Sequence, residues 1–316
     1  MSSLRDTLAC VVCGGGSDSG DKEVSSSTKK CTSCEQKNDH CNKVDTASNN
    51  AGSVDVSDIN IGRLDISYND DNDELFAEPP PKEDCPICML PMPHSAGEEE
   101  ICGVRTLYMP CCGKRVCIEC MNLSAEEMAS GNMKKWCLLC RVPLHKSTIE
   151  FFERVKKRMK QNDPEAYYEL GDAYNRGRWH LPQDDRKAFE LFKQGSELGS
   201  CRAHYESGYA YYYGEGVEKN VKKAIHHWKL AAIGGHEQAR YNLGAIEGNN
   251  GNVERSVKHY IIAAMCGFEL SLKVVGECYE AGYITKDDYA STLRAYQASV
   301  NEMKSEERTK AAKVKD

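Results

Sequence analysis

The sequence predicts a small, cysteine-rich, metal-stabilised domain followed by an all-α solenoid of helix-turn-helix repeats, after a disordered N-terminal tail. Three observations predict this order. Residues 1–84 carry 17 acidic and 8 basic side chains and few aromatic residues. Nine of the 17 cysteines lie between Cys85 and Cys140, and small and aromatic residues recur at intervals of 32 to 37 positions beyond Asp163. A chain of 316 residues is long enough for two or three such parts.

The N-terminal tail comprises residues 1–81, and we expect it to be mostly disordered. Its acidic, polar composition cannot bury enough apolar surface to offset the entropy lost on ordering. A run of three prolines at 79–81 is a stiff spacer that marks its end. Two Cys-x-x-Cys pairs in this tail have the spacing of a zinc ribbon. They offer a possible weak metal site, formed by Cys10, Cys13, Cys31 and Cys34.

The central cysteines have the spacing of metal ligands. No apolar run approaches the ~20 residues needed to span a bilayer, and no secretory leader is predicted, so we expect a cytoplasmic or nuclear chain. In such a reducing compartment, Cys-x-x-Cys pairs favour metal binding over disulfides. Eight thiolates would fill two tetrahedral zinc sites. The eight candidate ligands are Cys85, Cys88, Cys111, Cys112, Cys117, Cys120, Cys137 and Cys140.

Residues 82–146 resemble a RING-type zinc finger of the all-cysteine variant. The resemblance implies a cross-brace, in which the first and third ligand pairs hold one zinc ion and the second and fourth hold the other. One ion would be bound by Cys85, Cys88, Cys117 and Cys120, and the other by Cys111, Cys112, Cys137 and Cys140.

One ligand pair departs from the commonest RING pattern. Lys114 stands where that pattern has a histidine, so the adjacent Cys111 would supply the missing ligand. A protonated lysine is a poor zinc ligand. Cys111 and Cys112 are therefore the ligands that Cys102 or His94 could replace.

The resemblance also implies a function, that of a RING-type ubiquitin ligase. Such a domain has no nucleophile of its own; it docks a ubiquitin-conjugating enzyme and orients the activated ubiquitin for transfer. By resemblance, Ile87 would contact the conjugating enzyme, and Arg141 would bridge that enzyme and ubiquitin. The tryptophan often found early in the RING helix is absent, and with Lys114 this favours the alternative function of a non-catalytic zinc-binding scaffold.

The C-terminal half contains two interleaved series of repeated residues. Gly171, Gly208, Gly244 and Gly276 form one series, and Gly199, Gly235 and Gly267 form the other. Each unit predicts two short helices joined by a turn. Residues 163–304 resemble Sel-one-like repeats, relatives of the tetratricopeptide repeat, ending in a C-terminal cap. A helix over residues 147–162 is expected to link the finger to this solenoid, and residues 305–316 to form a frayed tail.

The partners expected from this organisation are proteins. An α-solenoid has no chemistry of its own and usually offers a surface for a protein or peptide. The ligase hypothesis adds two expected partners, a ubiquitin-conjugating enzyme and ubiquitin. A net charge of −7 argues against a general electrostatic attraction to nucleic acid or to an anionic membrane.

Overall fold

A computed structural model describes residues 73–94, 104–122, 136–306 and 308 of the chain. The first elements are a single helical turn, α1 (Asp73–Phe76), and an antiparallel hairpin of β1 (Thr106–Met109) and β2 (Lys114–Cys117). Helices then follow one another along the chain: α2 (Thr148–Met159), α3 (Pro164–Asn175), α4 (Asp185–Glu197), α5 (Cys201–Tyr213), α6 (Val221–Ile233), α7 (Glu237–Asn249), α8 (Val253–Met265), α9 (Glu269–Glu280) and α10 (Lys286–Glu302).

The helices pack as the repeat pattern predicts. Successive helices form pairs, α3 with α4, α5 with α6 and α7 with α8, and each pair packs on the next to give an all-helical solenoid. The predicted linker helix is observed as α2. Its N-cap Ser147 accepts a hydrogen bond from the backbone N–H of Glu150, and the Glu150 carboxylate accepts one from the N–H of Lys146.

The first glycine series lets each helix pair approach closely. Gly171 lies against the ring of Phe192, and a Cβ there would come within 2.6 Å of it. Gly208 has the same relation to Trp228, at 2.5 Å, and Gly244 to Tyr260, at 3.0 Å. The small residue on the first helix and the aromatic residue on the second therefore form one packing unit.

The second glycine series ends the second helix of each repeat. Gly199, Gly235 and Gly267 all have φ between 91° and 97°, in the left-handed region that glycine adopts without steric cost. The chain reverses at these positions and begins the next repeat. The two series thus have different physical causes, close packing and a left-handed turn.

The structure differs from the sequence prediction in both terminal tails. Residues 73–81 belong to the expected N-terminal tail, yet Leu75 is fully buried on the solenoid. Arg308 falls in the expected C-terminal tail, yet it is 5% exposed and contacts the cysteine-rich domain. Both corrections come from single side chains that gain long-range partners, which composition averaged over a segment does not register. The rest of the N-terminal tail lies outside the described residues, and with it the four cysteines of the possible weak metal site.

The cysteine-rich domain packs directly on the solenoid. Arg115 of β2 forms ion pairs with Glu169, at 2.8 Å, and Glu165, at 3.3 Å, both on α3. Tyr108 of β1 donates a hydrogen bond to Asp163 at 2.8 Å, and burial raises the pKa of this tyrosine. Two parts that differ in composition therefore form one packed body.

No helix among the described residues is both long and apolar enough to cross a membrane.

Candidate metal centres

The eight cysteines form two clusters of four, paired as the cross-brace requires. Within each cluster the sulfur atoms all lie within 4.8 Å of one another. One cluster contains Cys85, Cys88, Cys117 and Cys120, and the other contains Cys111, Cys112, Cys137 and Cys140. Pairs that alternate along the chain share a cluster, so the two clusters are interleaved in sequence.

Two matching loops present the outer ligand pairs. In the first loop the N–H of Met89 donates to the Cys85 carbonyl at 2.8 Å, and in the last loop the N–H of Arg141 donates to the Cys137 carbonyl at 3.0 Å. Met89 and Arg141 have φ of 56° and 61°, so both loops turn through the left-handed region directly after the second cysteine. Each turn brings its two thiols to the same side of the chain.

The hairpin connects the two clusters. Cys111 and Cys112 lie in its turn, where the N–H of Gly113 donates to the Met109 carbonyl at 2.8 Å and Gly113 has φ of 70°. Cys117 ends β2, and its N–H donates to the Cys85 sulfur at 3.4 Å. The length of β2 therefore sets the separation of the clusters.

The donor set and its spacing fit zinc. Four sulfurs at about 2.3 Å from a zinc ion lie about 3.8 Å from one another in a tetrahedron. The Cys88–Cys117 sulfur distance is 3.8 Å, and the Cys85–Cys120 and Cys112–Cys137 distances are 4.0 Å. Burial raises the pKa of the Cys112 thiol to about 11, so metal binding at neutral pH would release its proton.

The alternative ligand His94 is not part of either cluster. Its ring Nε2 lies 3.2 Å from the Pro80 carbonyl, and its backbone N–H donates to Glu237 of α7 at 3.2 Å. The His94 carbonyl accepts from Arg202 of α5 at 3.0 Å. This histidine joins the finger to the solenoid. The other alternative, Cys102, lies outside the described residues.

The structure also places a cation beside the first cluster that the sequence did not indicate. The Arg308 guanidinium donates to the Cys88 sulfur at 3.1 Å and to the carbonyls of Leu90 and Pro91, each at 3.0 Å. Four thiolates around a divalent ion carry a net charge of about −2, which a buried arginine partly neutralises. A search for metal ligands misses it because arginine is not one.

The two residues predicted to contact partner proteins differ in exposure. Arg141 is exposed on the turn after the last cysteine, and Ile87 is partly buried between the first two ligands. Ile87 packs against an apolar cluster that includes Met92 and Val116 from the finger and Val300 from α10.

Comparison with known proteins identifies the helical part. The Sel1 repeat family matches residues 164–200, 201–236 and 238–268. The chain thus contains three Sel1 repeats. Their limits agree with the helix pairs α3–α4, α5–α6 and α7–α8, and they are the Sel-one-like units expected from the sequence.

Curated relatives resemble only part of the chain. Protein SHC1 of Saccharomyces cerevisiae is 34% identical over 90 residues, which is 28% of this chain and 17% of that protein. Chitin synthase regulatory factor 2 of Schizosaccharomyces pombe is 30% identical over 82 residues, which is 26% of this chain and 16% of that protein. This chain therefore matches about a sixth of the length of these relatives.

Two solved structures also resemble the chain. A Sel1 repeat protein from Oxalobacter formigenes has 23% sequence identity and a TM-score of 0.43, covering 51% of this chain and 67% of that one. The protective antigen c5321 of uropathogenic Escherichia coli has 23% identity and a TM-score of 0.43, covering 58% of this chain and 37% of that one.

Proposed function

We propose that the protein is a zinc-stabilised scaffold that binds other proteins through its Sel1 repeats. The observation that carries this proposal is the packing of the two cysteine clusters and the solenoid into one body. Sel1 repeats serve in protein–protein binding, and one relative that matches part of this chain is named a regulatory factor. Zinc would be held by the eight clustered cysteines and would supply the cross-links that so small a domain needs to stay folded.

Two measurements test the scaffold. Metal analysis of the purified chain should find two zinc ions bound by the finger, and a third would assign a site to Cys10, Cys13, Cys31 and Cys34. A scaffold must also hold two proteins at once, so partners identified by cross-linking should form a ternary complex with the chain in analytical ultracentrifugation. Partners that always exclude one another would contradict the proposal.

A second candidate function is that of a RING-type ubiquitin ligase, favoured by the cross-brace pairing of the clusters and by exposed Arg141. In this role Ile87 would contact a conjugating enzyme, and the Arg141 guanidinium would donate hydrogen bonds to that enzyme and to ubiquitin. Arg141 is exposed and directly follows the last of the eight cysteines, with a positive φ.

A reconstituted reaction tests the ligase. The purified chain is incubated with activating enzyme, ubiquitin and a broad panel of conjugating enzymes, and ubiquitin chains are expected with at least one enzyme. Ile87→Ala should weaken docking, and Arg141→Ala should slow ubiquitin discharge without weakening docking. Met89→Ala is the matched control, because Met89 has the same backbone conformation in the first loop. If no conjugating enzyme in the panel supports chain formation, the ligase function is contradicted and only the scaffold function remains. Full activity in both variants would refute the roles assigned to Ile87 and Arg141.

A further inference from the structure

The helical turn α1 is seated on the solenoid like a bound peptide. Leu75 is fully buried in an apolar cluster with Ile225, Trp228 and Leu243 of the repeats. The Leu75 carbonyl accepts a hydrogen bond from Arg240 of α7 at 2.7 Å. The turn also contacts α6 and α8, so these three helices form the walls of one groove, which we call the α1 groove.

The next residue, Phe76, lies against a cationic wall of the α1 groove. Its ring centroid is 4.8 Å from that of His259, and the Arg255 guanidinium carbon lies 4.9 Å from it. The Lys258 amine lies 5.9 Å from the same centroid. Such cation–π contacts are favourable, and more so where the groups are desolvated.

The charges of the groove and its occupant are complementary. Mainly burial, and also the nearby positive charges of Arg240, Arg255 and Lys229, lower the pKa of His259 to about 3. Three acidic residues lie near the four cations Lys229, Arg240, Arg255 and Lys258. Glu247 pairs with Arg255 at 3.1 Å, Glu254 pairs with Lys258 at 2.7 Å, and Glu237 interacts with Arg240, so the cations are in excess by one. The segment that ends at Phe76 is acidic, with the sequence Asp-Asp-Asn-Asp-Glu at positions 70–74. An acidic peptide is therefore the occupant that the groove favours.

The resident segment fills the groove without completing its hydrogen bonds. His259 is fully buried, and neither of its ring nitrogens has a hydrogen-bond partner in the described part of the chain. A buried polar group without a hydrogen bond destabilises the state in which it is buried. Another peptide that supplies a hydrogen-bonding group here would compete well with the resident one.

We propose that the α1 groove is a peptide-binding site. Its ligand is a peptide in which acidic residues are followed by a leucine and then by an aromatic residue. Asp73–Phe76 occupies this site in cis as an intramolecular competitor until such a partner displaces it. The five residues 77–81 join it to the finger, so its effective concentration is high. This inference rests on the proposed scaffold function, because it names the chemistry of a partner.

The test is binding of a fluorescent peptide with the sequence of residues 70–80 to the full-length chain, followed by anisotropy. The double variant Leu75→Ser with Phe76→Ser empties the groove, and it should bind the peptide at least tenfold more tightly than the wild type does. The same peptide with both serines should not bind. Circular dichroism and zinc content establish that the variant folds, and Phe76→Ala alone replaces it if the double variant does not.

A charge reversal locates the bound peptide. In the emptied chain, Lys258→Glu should weaken binding of the peptide by roughly twofold or more. The substitution removes a cation–π contact, and the new carboxylate repels the acidic residues of the peptide. Lys193→Glu is the matched control. Lys193 lies in the first repeat and pairs with Glu197, four positions away, as Lys258 pairs with Glu254. This variant should leave the affinity for the peptide unchanged.

Peptide binding that is absent from the emptied chain, or equal in the wild type and the emptied chain, would overturn the proposal. Equal losses from both charge reversals would do the same. Either result leaves the scaffold function to the ternary-complex experiment, which does not depend on this groove.

Discussion

Gly208 and Trp228 show how one missing side chain determines the packing of a whole repeat. Trp228 is fully buried, and a Cβ at position 208 would lie 2.5 Å from its ring. We expect Gly208→Ala to lower the free energy of unfolding by about 1–3 kcal/mol, because the indole must move within a filled core. Urea denaturation followed by circular dichroism measures this change.

Gly276 is the control for this substitution, because it belongs to the same sequence series without the same contact. The nearest atom to a Cβ there is the Tyr289 hydroxyl oxygen, at 3.8 Å. Gly276→Ala should therefore be neutral or should stabilise α9 by up to about 1 kcal/mol, through helix propensity. Equal losses at both positions would show that contact with the aromatic ring is not the cause.

Arg308 is a second residue whose contacts predict a measurable effect. It donates to the Cys88 sulfur and to two carbonyls of the first loop, so it supports both the charge and the shape of the first cluster. We expect Arg308→Met to lower zinc affinity about 10- to 100-fold at this cluster. Competition with a chromophoric chelator should then show one ion leaving earlier than the other.

Lys304→Met is the matched control, because Lys304 is exposed on the same segment and its loss changes the net charge equally. It should leave both zinc affinities unchanged. A similar loss of affinity in both variants would mean that only the overall charge matters.

The residue pattern was sufficient to predict the cysteine pairing but not the role of Arg308. The spacing of the cysteines indicated eight candidate ligands, and the RING resemblance implied the grouping into two sets of four in which their sulfur atoms cluster. Arg308 and Cys88 are 220 positions apart, and their contact exists only because the solenoid returns the chain to the finger. No local pattern contains that information.

At the scale of elements, the C-terminal cap helix α10 also packs on the cysteine-rich domain. Val300 and Met303, at its C-terminal end, lie in the same apolar cluster as Cys85 and Val116 of the finger. The periodicity of a helix indicates that one side is apolar, but it does not name the element that covers that side. The same limit explains why Leu75 was assigned to the tail.

Met303 permits a test of this contact. Met303 is fully buried, so Met303→Ala should lower the free energy of unfolding by about 2–5 kcal/mol, through lost burial and a cavity. Thermal unfolding of the zinc-loaded chain measures it. Met265→Ala is the control, since Met265 is 46% exposed on α8 and should change stability little. Equal shifts in melting temperature would place α10 outside the finger's core.

At the scale of the whole molecule, the finger contacts the solenoid near its beginning, middle and end. Arg115 reaches α3, the backbone of His94 reaches Glu237 of α7, and the apolar cluster of the finger includes Met303 just after α10. The sequence predicted the helical repeats and the grouping of the cysteines. It did not predict this packing, because each contact is an ion pair, a backbone hydrogen bond or a single apolar side chain without a repeated pattern.

This packing predicts that removing metal loosens particular helices. We expect chelation to increase amide hydrogen exchange in α10 and at the start of α3, because both lose a folded surface to pack against. The centre of α6 should keep its protection, since Trp228 is buried by neighbouring helices of the solenoid. The full-length chain is labelled before chelation, after chelation and after zinc is restored, and mass spectrometry of its peptides then measures exchange in each helix. If zinc loss is verified while exchange in α10 stays unchanged, the two parts fold independently and the single-body account is wrong.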